Sequence, residues 1–122
     1  MSRNAMKTSM SIKRVRRVSE TEFEIELETR TRTTFKIGKK VREILEELAR
    51  LKGMTLSDLI HEALKEEIHE IKYLGSDVRV SINIKLDLLK EIDKLAIKFN
   101  TPRTYIIHSK IFEYLKKEGI KV

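Results

Sequence analysis

The chain contains no cysteine, no tryptophan and no glutamine. Without cysteine it has no disulfide framework, no thiolate metal centre and no cysteine nucleophile. One proline and four glycines in 122 residues leave few places where a helix must break, so a mostly helical fold with short connections is expected. So few glycines also leave no room for a phosphate-cradling loop or a dinucleotide fingerprint. The longest uninterrupted apolar run is about three residues, Tyr105 to Ile107, against the roughly 20 that a membrane-spanning helix needs. No signal-type apolar segment follows the basic start, which points to a soluble, cytoplasmic protein with no membrane partner.

What is abundant is charge. Lys, Glu and Ile dominate and 37% of residues are charged, a bias associated with proteins from very hot environments. Lys and Arg number 26 against 19 Asp and Glu, a net charge of +7. The surplus is unevenly spread. Residues 1–18 carry Arg3, Lys7, Lys13, Arg14, Arg16 and Arg17 and no acid; residues 20–28 then hold Glu20, Glu22, Glu24, Glu26 and Glu28. Arg30, Arg32, Lys36, Lys39 and Lys40 follow, whereas residues 41–72 have eight acids and five bases. A polyanionic partner is the natural inference. The three histidines, His61, His69 and His108, form no recognisable metal motif or nucleophile triad, so no catalytic residue, metal or cofactor is expected.

The chain also repeats itself. Phe35 to Ile68 matches Ile82 to Leu115 without a gap, at an offset of 47 residues. Ile37, Leu48, Ala49, Ile60, His61 and Glu66 fall on Ile84, Leu95, Ala96, Ile107, His108 and Glu113. The apolar pattern matches too, with Val41 and Leu45 landing on Leu88 and Ile92. In the second unit Val78, Val80, Ile82 and Ile84 alternate with Arg79, Ser81, Asn83 and Lys85, the period of a half-buried strand. Leu88, Ile92, Leu95 and Phe99 then fall on one face of a helix that ends near Asn100. Thr101 is placed to cap the next helix, with Pro102 at its first position and Ile106, Ile107, Ile111 and Leu115 inward. The first unit has the same order. Its strand ends at Arg32 to Ile37, and its first helix carries Val41, Leu45, Leu48 and Leu51 and stops at Gly53. Thr55 opens a second helix with Leu59, Ile60, Ala63, Leu64, Ile68 and Ile71 on its apolar face.

A strand and two helices in about 40 residues bury too little to stand alone, and the strand leaves both edges unpaired. Two units must associate, and pairing their strands antiparallel lets four helices share one core. Together the strand Arg79 to Ile84, the helix Leu88 to Phe99, the turn Asn100 to Thr104, and their counterparts Arg32 to Ile37 and Gly53 to Asp58 resemble the ribbon-helix-helix family of DNA-binding proteins. In its composition the chain is similar to members from archaea and archaeal viruses. The resemblance implies a mainly α fold with short β-strands, a tandem ribbon-helix-helix with a two-stranded antiparallel ribbon and four helices; most members of the family are homodimers of one unit, and here the short linker favours an intramolecular pseudo-dimer over an exchange in which matching units of two chains pair. Its parts are a basic N-terminal arm (1–29), unit 1 (30–72), a linker (73–77) and unit 2 (78–118).

In that family the ribbon enters the major groove of double-stranded DNA and its exposed residues read bases. By position the resemblance assigns base reading to Arg32, Thr34 and Lys36 and to Arg79, Ser81 and Asn83. It assigns phosphate anchoring to the start of each second helix: Thr55, Leu56 and Ser57 in one unit, Pro102, Arg103 and Thr104 in the other. Pro102 removes one donor and Arg103 adds a charge, so unequal clamps are expected. The implied function is a sequence-specific transcription regulator, more often a repressor, able to self-associate on DNA. The alternative is an antitoxin-type autoregulator that also binds a toxin protein. Within the arm, Phe23, Ile25 and Leu27 either extend the first strand or form a hairpin with residues 12–18, while the basic start is otherwise a DNA-contacting tail.

Overall fold

Along β-strand positions 31–37, Thr31, Thr33, Phe35 and Ile37 are buried and Arg32, Thr34 and Lys36 exposed, the alternation of a pleated strand with one wet face. The alternation recurs where Val80, Ile82 and Ile84 are buried between exposed Arg79, Ser81 and Asn83. The computed structural model describes residues 8–17 and 23–122, with side chains from Thr29 onward. In chain order the elements are β1 (Thr8–Arg17), β2 (Phe23–Ile37), α1 (Lys39–Lys52), α2 (Leu56–Ala63), β3 (Val78–Lys85), α3 (Leu86–Lys98) and α4 (Arg103–Lys117). The described chain thus has four helices and, in place of the expected two-stranded ribbon of short strands, a three-stranded antiparallel sheet, because the stretch before Arg30 continues β2 and pairs with β1.

β2 is the central strand of the order β1-β2-β3. Its second half pairs antiparallel with β3, from Arg30↔Lys85 to Ile37↔Val78. Its first half pairs antiparallel with β1, from Thr8↔Thr31 to Arg17↔Phe23. The stretch Phe23 to Leu27 therefore both continues the first strand and forms a hairpin. In the backbone register, with a shift between Ile12 and Arg14, Ile12 is opposite Leu27, Arg14 opposite Glu26, Val15 opposite Ile25 and Arg16 opposite Glu24. Residues 1–7 and 18–22, including Arg3 and Lys7 of the expected arm, lie outside the described residues.

Each first helix ends on a left-handed residue at equivalent positions, Gly53 (φ 67) and Asn100 (φ 51). The next amide returns to the helix in both cases, Met54 N–H to Ala49 O and Thr101 N–H to Ala96 O, each at 2.9 Å. The buried faces are rotated from expectation. α1 buries Val41, Leu45 and Ala49, an i, i+4 row, and leaves Leu48 half-buried and Leu51 exposed. α3 buries Leu89 and Ile92 and leaves Phe99 exposed, so Leu89 takes the inward place expected of Leu88.

The larger departure is in α2, which stops at Ala63 rather than continuing to Ile71. Residues 64–77 cross α4 without helical structure, because three consecutive buried side chains of α4 take over the backbone partners. Lys110 Nζ donates to Glu66 O (2.6 Å), Lys72 N–H to Ser109 Oγ (2.8 Å) and Leu74 N–H to His108 Nδ1 (2.9 Å). Ile68 and Ile71 still pack against the core, from an irregular segment. The connection between the units is therefore 64–77, longer than the expected 73–77.

The core joins ribbon and helices: Phe35, Ile37, Ile82 and Ile84 from the strands meet Leu45, Leu59, Ile60, Ile92, Ile106, Ile107, Ile111 and Leu115. α2 and α4 pack together at the centre, with α1 against α2 and α3 against α4. The second helices cross over, α2 touching β3 and α4 touching β2. At the end of β2 the backbone of 64–77 comes so near that a Cβ on Gly38 would lie 2.6 Å from Leu74 O, the same oxygen that accepts the Gly38 N–H at 2.7 Å. Gly38→Ala is expected to destabilise the fold by about 1 to 3 kcal/mol, seen as a lower denaturant midpoint at unchanged slope.

Candidate nucleic-acid interface

The antiparallel register brings the six ribbon residues singled out by sequence into three facing pairs: Arg32↔Asn83, Thr34↔Ser81 and Lys36↔Arg79. All six are exposed, because the odd positions of β2 and the even positions of β3 are committed to the core. The central pair is joined by a hydroxyl–hydroxyl hydrogen bond of 2.8 Å between Thr34 Oγ1 and Ser81 Oγ. Each hydroxyl keeps further acceptor capacity. One pair further along, Arg30 stands opposite Lys85. These two partly exposed cations lengthen the same face, and the Arg30 guanidinium donates to Asn83 O at 3.4 Å. They were absent from the expected reading set, although extending the same alternation by one step along each strand finds them. From Arg30 to Ile37 and Val78 to Lys85 the ribbon holds five cations and no acid. Such a face offers Arg and Lys to guanine O6 and N7, Asn to adenine N6 and N7, and hydroxyls to either base.

Two histidines fix the ends of this ribbon. His108 is fully buried; its Nδ1 accepts the Leu74 N–H, so the proton sits on Nε2, which donates to Lys36 O at 2.7 Å. Burial pushes the His108 pKa below its ordinary value, and the bond to the Lys36 carbonyl opposes that shift only in part. The ring lies among Phe35, Tyr73 and Tyr105, parallel to Tyr105 and edge-on to Phe35. His61 plays a related part at the opposite end, where its Nε2 accepts the Lys85 N–H at 3.4 Å. Each second helix thus holds the strand of the other unit. Nothing in the sequence pattern beyond the equivalence of positions 61 and 108 signalled this role. His69 is exposed. Among the described residues no group of three or more His, Asp or Glu is placed to hold a metal ion.

The two helix starts differ in detail from expectation. Thr55 is the N-cap of α2, and its hydroxyl accepts the Asp58 N–H at 3.0 Å, leaving the Leu56 and Ser57 amides at the helix mouth. On α4 the N-cap is Pro102, with φ −62 and ψ 152, and Thr101 precedes it. Pro102 therefore stands before the first turn, where its missing N–H takes no amide away from Arg103 or Thr104. The Arg103 charge is already engaged: its Nε and one terminal nitrogen donate to both carboxylate oxygens of Asp93, at 2.7 and 3.0 Å. The two starts are consequently more alike than the sequence implied, each having an acid beside its free amides.

No family model, no curated protein and no solved structure matches the chain. Among the described residues, no helix is long and apolar enough to cross a membrane.

Proposed function

We propose that the chain is a tandem ribbon-helix-helix regulator of transcription, a pseudo-dimer within one polypeptide that acts in the cytoplasm by sequence-specific binding of double-stranded DNA. The observation that carries this reading is the set of three facing pairs on the β2–β3 ribbon, where Arg30 to Ile37 and Val78 to Lys85 hold no acid. A face that served only solvation would carry mixed charge, in a chain with 19 acidic residues. The β2–β3 ribbon fills the major groove, with Arg32, Thr34, Lys36, Arg79, Ser81 and Asn83 on base edges. The amides of Leu56, Ser57, Arg103 and Thr104, with the Thr55 and Pro102 caps that orient them, receive phosphates on either side. Because the facing residues differ in kind, the preferred half-site is asymmetric. Repression by occlusion of a promoter is the regulatory outcome proposed, with further copies binding alongside.

Selection of bound sites from random duplex DNA, followed by footprinting, tests the reading. A recurrent asymmetric motif is expected, together with binding whose logarithm falls linearly with the logarithm of salt, by about 0.9 per phosphate neutralised. Binding that is indifferent to salt, or that enriches no motif, overturns it.

A further inference from the structure

The outer faces of the two first helices break the repeat, and they do so with opposite signs. At positions 47 apart, Lys40 is matched by Asp87, Glu43 by Lys90 and Glu47 by Lys94. On α1 this stripe carries an apolar groove of about 480 Å³ formed by Ile44, Leu48, Leu51 and Ile120, with Lys40, Glu43 and Glu47 on its rim, Glu47 also accepting from Arg50 one turn on. Leu51 is 68% exposed there. On α3 the corresponding flank carries a knob instead. Ile97 is 81% exposed, with Lys94 and Lys90 one and two turns before it on the same face and Lys98 beside it. The packing order α1, α2, α4, α3 sets groove and knob on opposite flanks of the molecule. Single exposed apolar residues are ordinary on protein surfaces. Here a groove flanked by Glu43 and Glu47 and a knob flanked by Lys90 and Lys94 are carried by one chain, and these flanking charges stand at positions that an unmodified repeat would have made identical.

We infer that the α1 flank of one molecule receives the α3 flank of a second copy, Ile97 entering the groove between Ile44, Leu48 and Leu51 while Glu43 and Glu47 face Lys90 and Lys94 of the neighbour. Since the two faces differ, the contact is heterologous: every copy keeps one unused groove and one unused knob, and copies add in an open row rather than closing as a dimer. One helix against another makes a small interface, so the association is weak in free solution and gains when copies are held side by side. The pairing of faces stands by itself; only its placement along a duplex rests on the DNA-binding reading.

Sedimentation equilibrium of the full chain without DNA, up to roughly millimolar concentration, reads the contact directly. The wild-type weight-average mass is expected to rise past that of a dimer. The charge-reversed variants E43K/E47K and K90E/K94E each remain monomeric alone, and an equal mixture of the two recovers the rise, because each then supplies the face the other lacks. All four positions are at the surface, and retained thermal unfolding confirms intact variants. A wild type that stays monomeric or stops at a dimer overturns the proposal, as does a K90E/K94E variant that still associates like wild type, since that outcome places the contact between two α1 grooves. On a duplex with two adjacent selected sites, wild type fills both together and each variant fills them independently. If the chain binds no duplex, the DNA reading falls while sedimentation still decides the contact.

Discussion

Replacing Arg79 and Asn83 together with alanine is expected to cost about 2 to 6 kcal/mol of affinity for the selected operator, at roughly 1 to 3 kcal/mol per lost base contact. The two positions are four residues apart on β3, about 13 Å at the rise of a strand, so their effects should add. The loss is sequence-dependent. On random duplex the pair should cost far less, and single variants should each relax preference at one base position, which repeated site selection with each variant measures. Folding is expected to respond differently. Arg79 stands opposite Lys36 across the ribbon, and removing one of two facing like charges leaves stability unchanged or slightly raised. A parallel measurement of unfolding therefore separates recognition from stability. Equal losses on operator and random DNA would refute base reading by these residues.

His108→Phe keeps a ring of similar breadth among Phe35, Tyr73 and Tyr105 but deprives two backbone groups, Leu74 N–H and Lys36 C=O, of their partner. Leaving both unsatisfied in a buried place is expected to destabilise the protein by about 3 kcal/mol. The pH dependence follows from the direction of the shift. The folded pKa is lowered below the ordinary 6.5, chiefly by burial. As pH falls through about 6.5 the unfolded chain takes up a proton that the folded chain refuses, so stability declines from there down to the folded pKa. Above that window the group contributes no pH dependence. Urea unfolding of wild type between about pH 5 and pH 8 should show this acid-side decline, at most about 1.4 kcal/mol per pH unit from this site, and the Phe variant should lack its share. A variant with the same acid-side slope as wild type would show that the ring does not carry the effect.

The ribbon was legible because a strand with one wet face writes itself at period two, and Arg79 to Lys85 and Arg30 to Ile37 do so without interruption. The helix ends at Gly53 and Asn100 and the cap at Thr55 were legible for a similarly local reason: each is decided within a few residues by backbone conformation. What escaped was decided at a distance. α2 ends at Ala63 because side chains of α4, 34 to 44 residues further on, satisfy the backbone of the segment that follows it. An apolar pattern through Ile68 and Ile71 is equally suited to a helix and to an irregular strap lying on the same core. Arg103 looked like a spare charge until Asp93, ten residues earlier, came into reach across the α3–α4 turn. The turn by one position of α1 and α3 likewise depends on which neighbour each helix meets. Ala49 and Leu89, rather than Leu48 and Leu88, took the inward places.

Both strands of the ribbon belong to one chain, with residues 38–77 between them, and are held from both ends by His61 and His108. An assembly of two separate subunits would lose its ribbon on dilution, since its folded form depends on protomer concentration. This one does not. A few copies in a cell volume present the same finished surface as a concentrated solution, so occupancy of a single isolated site should follow the first power of copy number. Under the proposed DNA binding, any steeper response has to come from contacts between molecules, which would make the dose curve separable, residue by residue, from the choice of sequence.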